Sequence, residues 1–135
     1  MSPDIKPYLI VIYGKNDCPL CAGLLEEMGR VLGDEAVQRN FDLDYQNLST
    51  IEGMEAYAKS ETVNGQRIPA LQIMKYDPQE EVYRKIPDTR PERYDEVSGE
   101  LIVPAYLQLQ TGASPHSAIT ADRIRELMEM ALTSA

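Results

Sequence analysis

The pattern of apolar positions divides the first half of the chain into alternating strand-like and helix-like segments. Tyr8–Leu9–Ile10–Val11–Ile12–Tyr13 is an unbroken run of β-formers, which predicts a strand covered on both faces. Gly14–Lys15–Asn16–Asp17 breaks the run. From Pro19 onward apolar residues fall at Leu20, Cys21, Leu24, Leu25, Met28, Val31 and Leu32, a helical stripe closed by Gly33. Phe41, Leu43 and Tyr45 alternate with Asp42 and Asp44, so a second strand should bury one face and wet the other. Ser49-x-x-Glu52 reads as a capping box for a helix whose inner face is Ile51, Met54 and Ala58.

The second half has a different rhythm. Val63–Asn64–Gly65–Gln66–Arg67–Ile68–Pro69 predicts a turn running into a strand, Ala70–Tyr76, which Asp77–Pro78 ends. Glu81–Ile86 is placed to return as an antiparallel partner. Residues 87–100 are charged and carry prolines without a clear period; Asp95, Glu96 and Glu100 read as a wet face. Leu101–Gln110 is a further strand candidate. Thr120 caps a last helix with an inner face of Ile124, Leu127, Met128, Ala131 and Leu132, and Ile119 is placed to staple against Ile124. Met28, Met54 and Met128 fall on helical apolar stripes and are expected in the core. The order β-α-β-α-β-(β)-α begins as a parallel βαβ unit and ends in a hairpin and a closing helix, an α/β arrangement.

Composition narrows the functional classes. A chain of 135 residues, 43% hydrophobic and 26% charged, is the size and mixture of one globular domain, taken here as residues 1–135. A net charge of −9 repels phosphate backbones and anionic lipid, so neither nucleic acid nor membrane is expected as a partner. Met1–Ser2–Pro3–Asp4–Ile5–Lys6–Pro7 lacks the basic start of a leader, and Leu9–Tyr13 is too short to span a bilayer. The expected location is the cytoplasm. In a reducing compartment two cysteines do not serve as a structural staple, and their C-x-x-C spacing points to redox or metal chemistry.

Cys18 falls where a buried strand meets a helix N-terminus. Unpaired backbone N–H groups and the helix dipole stabilise an anion there, and the thiolate is the nucleophile of disulfide exchange. Pro19 suits the first helical turn, where its missing N–H would have had no partner. Lys15 adds a cation three residues before Cys18, while Asp17 beside it acts in the opposite sense. Cys21 lies on the apolar stripe between Leu20 and Leu24, so it should be the deeper thiol.

A strand, a short turn, C-P-x-C at a helix start and a later Ile-Pro opening a strand resemble the thioredoxin/glutaredoxin superfamily. Lys15-x-x-Cys18-Pro19-Leu20-Cys21 is similar to glutaredoxin active sites, and Gly65–Gln66–Arg67–Ile68–Pro69–Ala70–Leu71 is similar to the thioredoxin stretch around its cis-proline. The resemblance covers most of residues 8–86 and the C-terminal helix. It implies a thioredoxin-like fold: a mixed central sheet flanked by helices, here with an insertion at 77–103 before the last helix. It also implies that Pro69 follows a cis peptide bond and lies against the cysteine pair, with Pro104 as the reserve candidate. The backbone of Ile68 would pair with the bound substrate. The chain departs from both named branches. It has no tryptophan, Ile12 stands where thioredoxins carry a buried acid, and no Gly-Gly-x-Asp-Asp-like segment follows Pro69 or Pro104.

The resulting expectation is a thiol–disulfide oxidoreductase acting on a disulfide-containing protein or small molecule, with an electron donor the sequence does not name. Cys18 attacks, Cys21 resolves, Lys15, Pro19 and Pro69 support the site, and no cofactor is needed because the electrons travel in the thiols. Two alternatives stand beside it. One is a thioredoxin-fold binding module whose thiols act as a redox sensor. The other is a metal cluster bridged between two protomers at the C-x-x-C. No single-chain metal site is expected, because two thiolates make half a tetrahedral shell and the sole histidine, His116, lies in a remote Ser/Pro loop.

Overall fold

A computed structural model of the chain describes residues 5–60, 68–89, 93–94, 101–102, 106–110 and 119–133. The turn expected at 63–67, the acidic Asp95, Glu96 and Glu100, the reserve proline Pro104, and His116 lie outside these residues. The elements are β1 (Tyr8–Gly14), α1 (Pro19–Val31), α2 (Glu35–Asn40), β2 (Phe41–Asn47), α3 (Ile51–Lys59) and β3 (Ala70–Asp77). They are followed by β4 (Val82–Lys85), β5 (Arg93–Tyr94), β6 (Leu101–Ile102), β7 (Gln108–Gln110) and α4 (Ala121–Leu132). The main sheet runs β2-β1-β3-β4, with β7 pairing the start of β3. β1 and β2 are parallel, and β3 is antiparallel to β1, β4 and β7. This is the mixed α/β sheet the sequence predicts, and it is compatible with a thioredoxin-like fold.

Strand alternation sorts the core into two layers. Tyr8, Ile10 and Ile12 of β1 and Leu71 and Ile73 of β3 point to one face. There they meet Leu24, Met28 and Val31 of α1 and Ile124, Leu127, Met128 and Ala131 of α4. Val11, Tyr13 and Ala70 point to the other face, where Tyr57 of α3 covers them. β1 is therefore buried on both sides, as its unbroken apolar run requires. Ile119 and Ile124 are both buried in the first layer, and Thr120 caps α4 by accepting from the Arg123 amide. Among the described residues no helix is long and apolar enough to cross a membrane.

Four expectations change. The cap of α3 is Thr50, not Ser49: the Thr50 hydroxyl accepts from the Gly53 amide at 3.0 Å, while the Ser49 hydroxyl is taken by the Asn16 amide. The inner face of α3 moves with the cap. Gly53 and Tyr57 are buried, whereas Ile51 (73% exposed), Met54 (60%) and Ala58 face outward. The rotation is held at Gly53, where a Cβ would lie 1.8 Å from the Asn47 carbonyl oxygen, so only a glycine lets the helix sit this close. Leu132, expected inside, is exposed in the last residue of α4. Leu101–Gln110 is not one strand: β6 pairs with β5 in a separate two-stranded sheet, while β7 joins β3. The β4 strand returns antiparallel as expected, and Ile86 just after it enters the core. The short helix α2 was not expected. Its signal is Asp34, which caps it by accepting from the Ala36 amide, on a segment too short for apolar periodicity to register.

Candidate active site

The site is assembled at one end of the sheet by strand direction. Parallel pairing brings the ends of β1 and β2 together, with Gly14 opposite Asn47. Antiparallel pairing sets the start of β3 at the same end, with Ala70 opposite Tyr13. Continued by one residue, that register sets Pro69 across from Gly14. The Cys18 loop, the Asn47–Thr50 loop and Ile68–Pro69 thus gather around the end of β1. The Ile68–Pro69 peptide bond is cis, as expected, and Pro69 is buried while Ile68 is partly covered.

The two loops are tied to each other. The Leu48 amide donates to the Gly14 carbonyl at 2.7 Å, and the Asn16 amide donates to the Ser49 hydroxyl at 3.4 Å. The Asn47 amide group donates to the Asn16 side-chain oxygen at 3.3 Å. The chain then turns through Asp17, whose φ of 58° is a left-handed conformation that a short polar side chain tolerates. This turn delivers Cys18 in extended conformation to the N-cap of α1.

Cys18 and Cys21 are joined as a disulfide, with Cα atoms 5.2 Å apart. The Cys18 sulfur is also the side-chain cap of the helix, accepting from the Cys21 amide at 3.2 Å. Pro19 occupies the first helical position and is exposed. Cys18 is partly exposed, while Cys21 is 2% exposed on the inner face of α1, so the two sulfurs differ in access as the apolar stripe predicts. Lys15 is exposed and makes no ion pair among the described residues.

Four contributors, Asn47, Ser49, Gly14 and Tyr45, are not marked as site residues by the sequence. Asn47 and Ser49 brace the loop, and nothing in their local pattern marks them. Gly14, legible only as a strand breaker, lies against Cys21: a Cβ there would sit 3.3 Å from the Cys21 sulfur and 2.8 Å from the Tyr45 hydroxyl. Tyr45 is thereby a neighbour of the pair, reached through the pairing of β2 with β1, where it stands opposite Ile12. Chemically, the arrangement offers one sulfur on a partly exposed residue at a helix N-terminus and one on a buried residue, the two close enough to be joined. Among the described residues no group of three metal-ligating side chains accompanies them. The chain matches no family model, no curated protein and no solved structure, which leaves the geometry of the Cys18–Cys21 pair as the guide to its chemistry.

Proposed function

We propose that the chain is a thiol–disulfide oxidoreductase of thioredoxin-like fold, working through Cys18 and Cys21 in the cytoplasm on a disulfide-containing protein or small molecule. The observation that carries this reading is the asymmetric pair: Cys18, a partly exposed residue, caps the helix with its sulfur, and Cys21 lies 2% exposed behind it. A thiolate at the N-cap accepts a backbone N–H bond and sits at the positive end of the helix dipole, both of which favour its ionised, nucleophilic form. A sulfur buried one turn later is shielded from outside thiols, yet it is within reach of Cys18.

The steps balance as dithiol exchange. The Cys18 thiolate attacks one sulfur of a substrate disulfide, forming a mixed disulfide and releasing the other substrate sulfur as a thiolate. Cys21, giving up its proton to solvent, then attacks the Cys18 sulfur. The internal disulfide forms, and the second substrate sulfur leaves with the electron pair. The substrate is reduced to a dithiol, the pair is oxidised, and an external dithiol reverses the change in the protein. Pro69 and the backbone of Ile68, at the same end of the sheet, are proposed to line the groove that receives the substrate chain. Lys15 is proposed to tune the charge around Cys18, and the stretch from 87 to 103 to elaborate the fold, since β4 and Ile86 belong to the main sheet and its core.

Insulin reduction with dithiothreitol as donor tests the reading. The wild-type chain should accelerate precipitation of insulin. Cys18→Ser should abolish the activity, and Cys21→Ser should trap a mixed disulfide that reducing gels release. No turnover by the wild-type chain, with the disulfide still formed, would instead make the pair a redox sensor on a binding module.

A further inference from the structure

Cys21 has a polar neighbour that the exchange mechanism has not used. β2 and β1 pair in parallel with Tyr45 opposite Ile12, and Tyr45 shares its face of the sheet with Phe41 and Leu43, the face on which α1 packs. At the end of β1 the side chain missing from Gly14 leaves a gap. The Tyr45 hydroxyl and the Cys21 sulfur border that gap from two sides, 2.8 Å and 3.3 Å from the point a Cβ would occupy. Tyr45 is 36% exposed, and its hydroxyl, both donor and acceptor, is not committed to another side chain among the described residues. Its surroundings hold little else that ionises. β1 presents Ile12 and Gly14 to this side, and α4 meets α1 through Ile124, Leu127, Met128 and Ala131. Lys15 and Asp17, the charged residues of the adjoining loop, are both exposed.

We propose that Tyr45 is a positioning residue for the buried thiol, donating its hydroxyl hydrogen to the Cys21 sulfur whenever that sulfur carries negative charge. The proposal rests on the dithiol-exchange reading of the pair. When an external thiolate attacks Cys18, a bond forms between the incoming sulfur and Cys18, and the Cys18–Cys21 bond breaks. Cys21 then departs with the electron pair as a thiolate. It is buried, so water solvates it poorly, and a nearby O–H donor replaces part of the lost hydration. In the opposite direction the same donor favours the Cys21 thiolate that must attack the mixed disulfide. Gly14 keeps the space between the two groups clear, since a methyl group there would wedge them apart.

The test uses the full-length chain with Cys18→Ser, in which Cys21 is the sole thiol, with and without Tyr45→Phe. The rate of iodoacetamide alkylation of Cys21 is followed against pH, a readout to which the eight tyrosines of the chain do not contribute. Loss of one hydrogen bond to the thiolate should raise the Cys21 midpoint by about half to one pH unit. Phenylalanine keeps the ring, so packing alone predicts no shift. In the dithiol protein, Tyr45→Phe should slow reduction of the internal disulfide by dithiothreitol about two- to three-fold, because a poorer leaving group departs more slowly. A midpoint that stays in place overturns the assignment, whatever the chain does to insulin. A raised midpoint in a chain that turns over no insulin supports the role of Tyr45 and removes the oxidoreductase reading instead.

Discussion

Gly53→Ala and Gly23→Ala are the same chemical change in two helix interiors, and the structure predicts opposite signs for them. Glycine inside a helix costs about 0.5–1 kcal/mol relative to alanine, through the backbone freedom it loses on folding. At Gly23 of α1 nothing lies within 4 Å of the new Cβ, so Gly23→Ala should stabilise by roughly that amount. At Gly53 the Cβ would sit 1.8 Å from the Asn47 carbonyl oxygen and 2.4 Å from its carbon. Ordinary non-bonded contact requires about 3.5 Å, so α3 must retreat from the Asn47 backbone by more than an ångström. That retreat strains the Thr50 amide and hydroxyl bonds to the Asn47 carbonyl, at 3.0 and 2.7 Å, and loosens the Tyr57 ring from Tyr13, whose centroids are 5.2 Å apart. Each hydrogen bond lost costs about 0.5–1.5 kcal/mol and partial loss of an aromatic contact adds about 1, so with both bonds lost and the propensity gain subtracted the net loss is about 1–3.5 kcal/mol. The assay is urea unfolding of the oxidised proteins by far-UV circular dichroism, which needs no tryptophan, a residue this chain lacks. With a slope of about 1.5 kcal/mol/M, the Gly53→Ala midpoint should fall by roughly 0.7–2.3 M. If Gly53→Ala raised the midpoint as Gly23→Ala does, α3 would not be seated on Asn47, and the account of its rotation would be wrong.

Iodoacetamide should alkylate the reduced protein at Cys18 well before Cys21, with a Cys18 midpoint below the free-cysteine value of about 8.5; equal rates in the two single-cysteine variants would remove the asymmetry on which the mechanism stands. Met28→Ala should cost about 2–5 kcal/mol and Met54→Ala within about 0.5, because the first side chain is buried under the sheet and the second is 60% exposed; comparable losses would put Met54 back in the core. Burial, reinforced by Asp44 and Tyr57, pushes the Tyr13 hydroxyl from the ordinary value of 10.0 up to about 12. The folded state then holds this proton more tightly than the unfolded chain, so its contribution is complete below pH 10 and is lost as pH rises toward 12. Tyr13→Phe should therefore lose about 2–3 kcal/mol less stability than wild type across that window, and equal losses in the two proteins would show that Tyr13 does not titrate with folding.

Local pattern alone settled much of this molecule. An apolar run covered on both sides, a polar break and a helical stripe put Cys18 at a strand–helix junction and Cys21 on the inner face, because burial is written into residue spacing along a single element. The cis bond before Pro69 was likewise anticipated, through the resemblance of the segment around it. What periodicity does not carry is the phase of a helix against its sheet or the register between strands. Ile51, Met54 and Ala58 form as good an apolar stripe as Gly53 and Tyr57, and the choice between them was made by the backbone of Asn47, against which only Gly53 fits. Tyr45 looked like one more alternating strand residue until its pairing opposite Ile12 carried its hydroxyl to the gap beside Gly14 and Cys21. Both outcomes depend on groups brought together from separate elements, so their cause lies in the packing of those elements and in no single stretch of sequence.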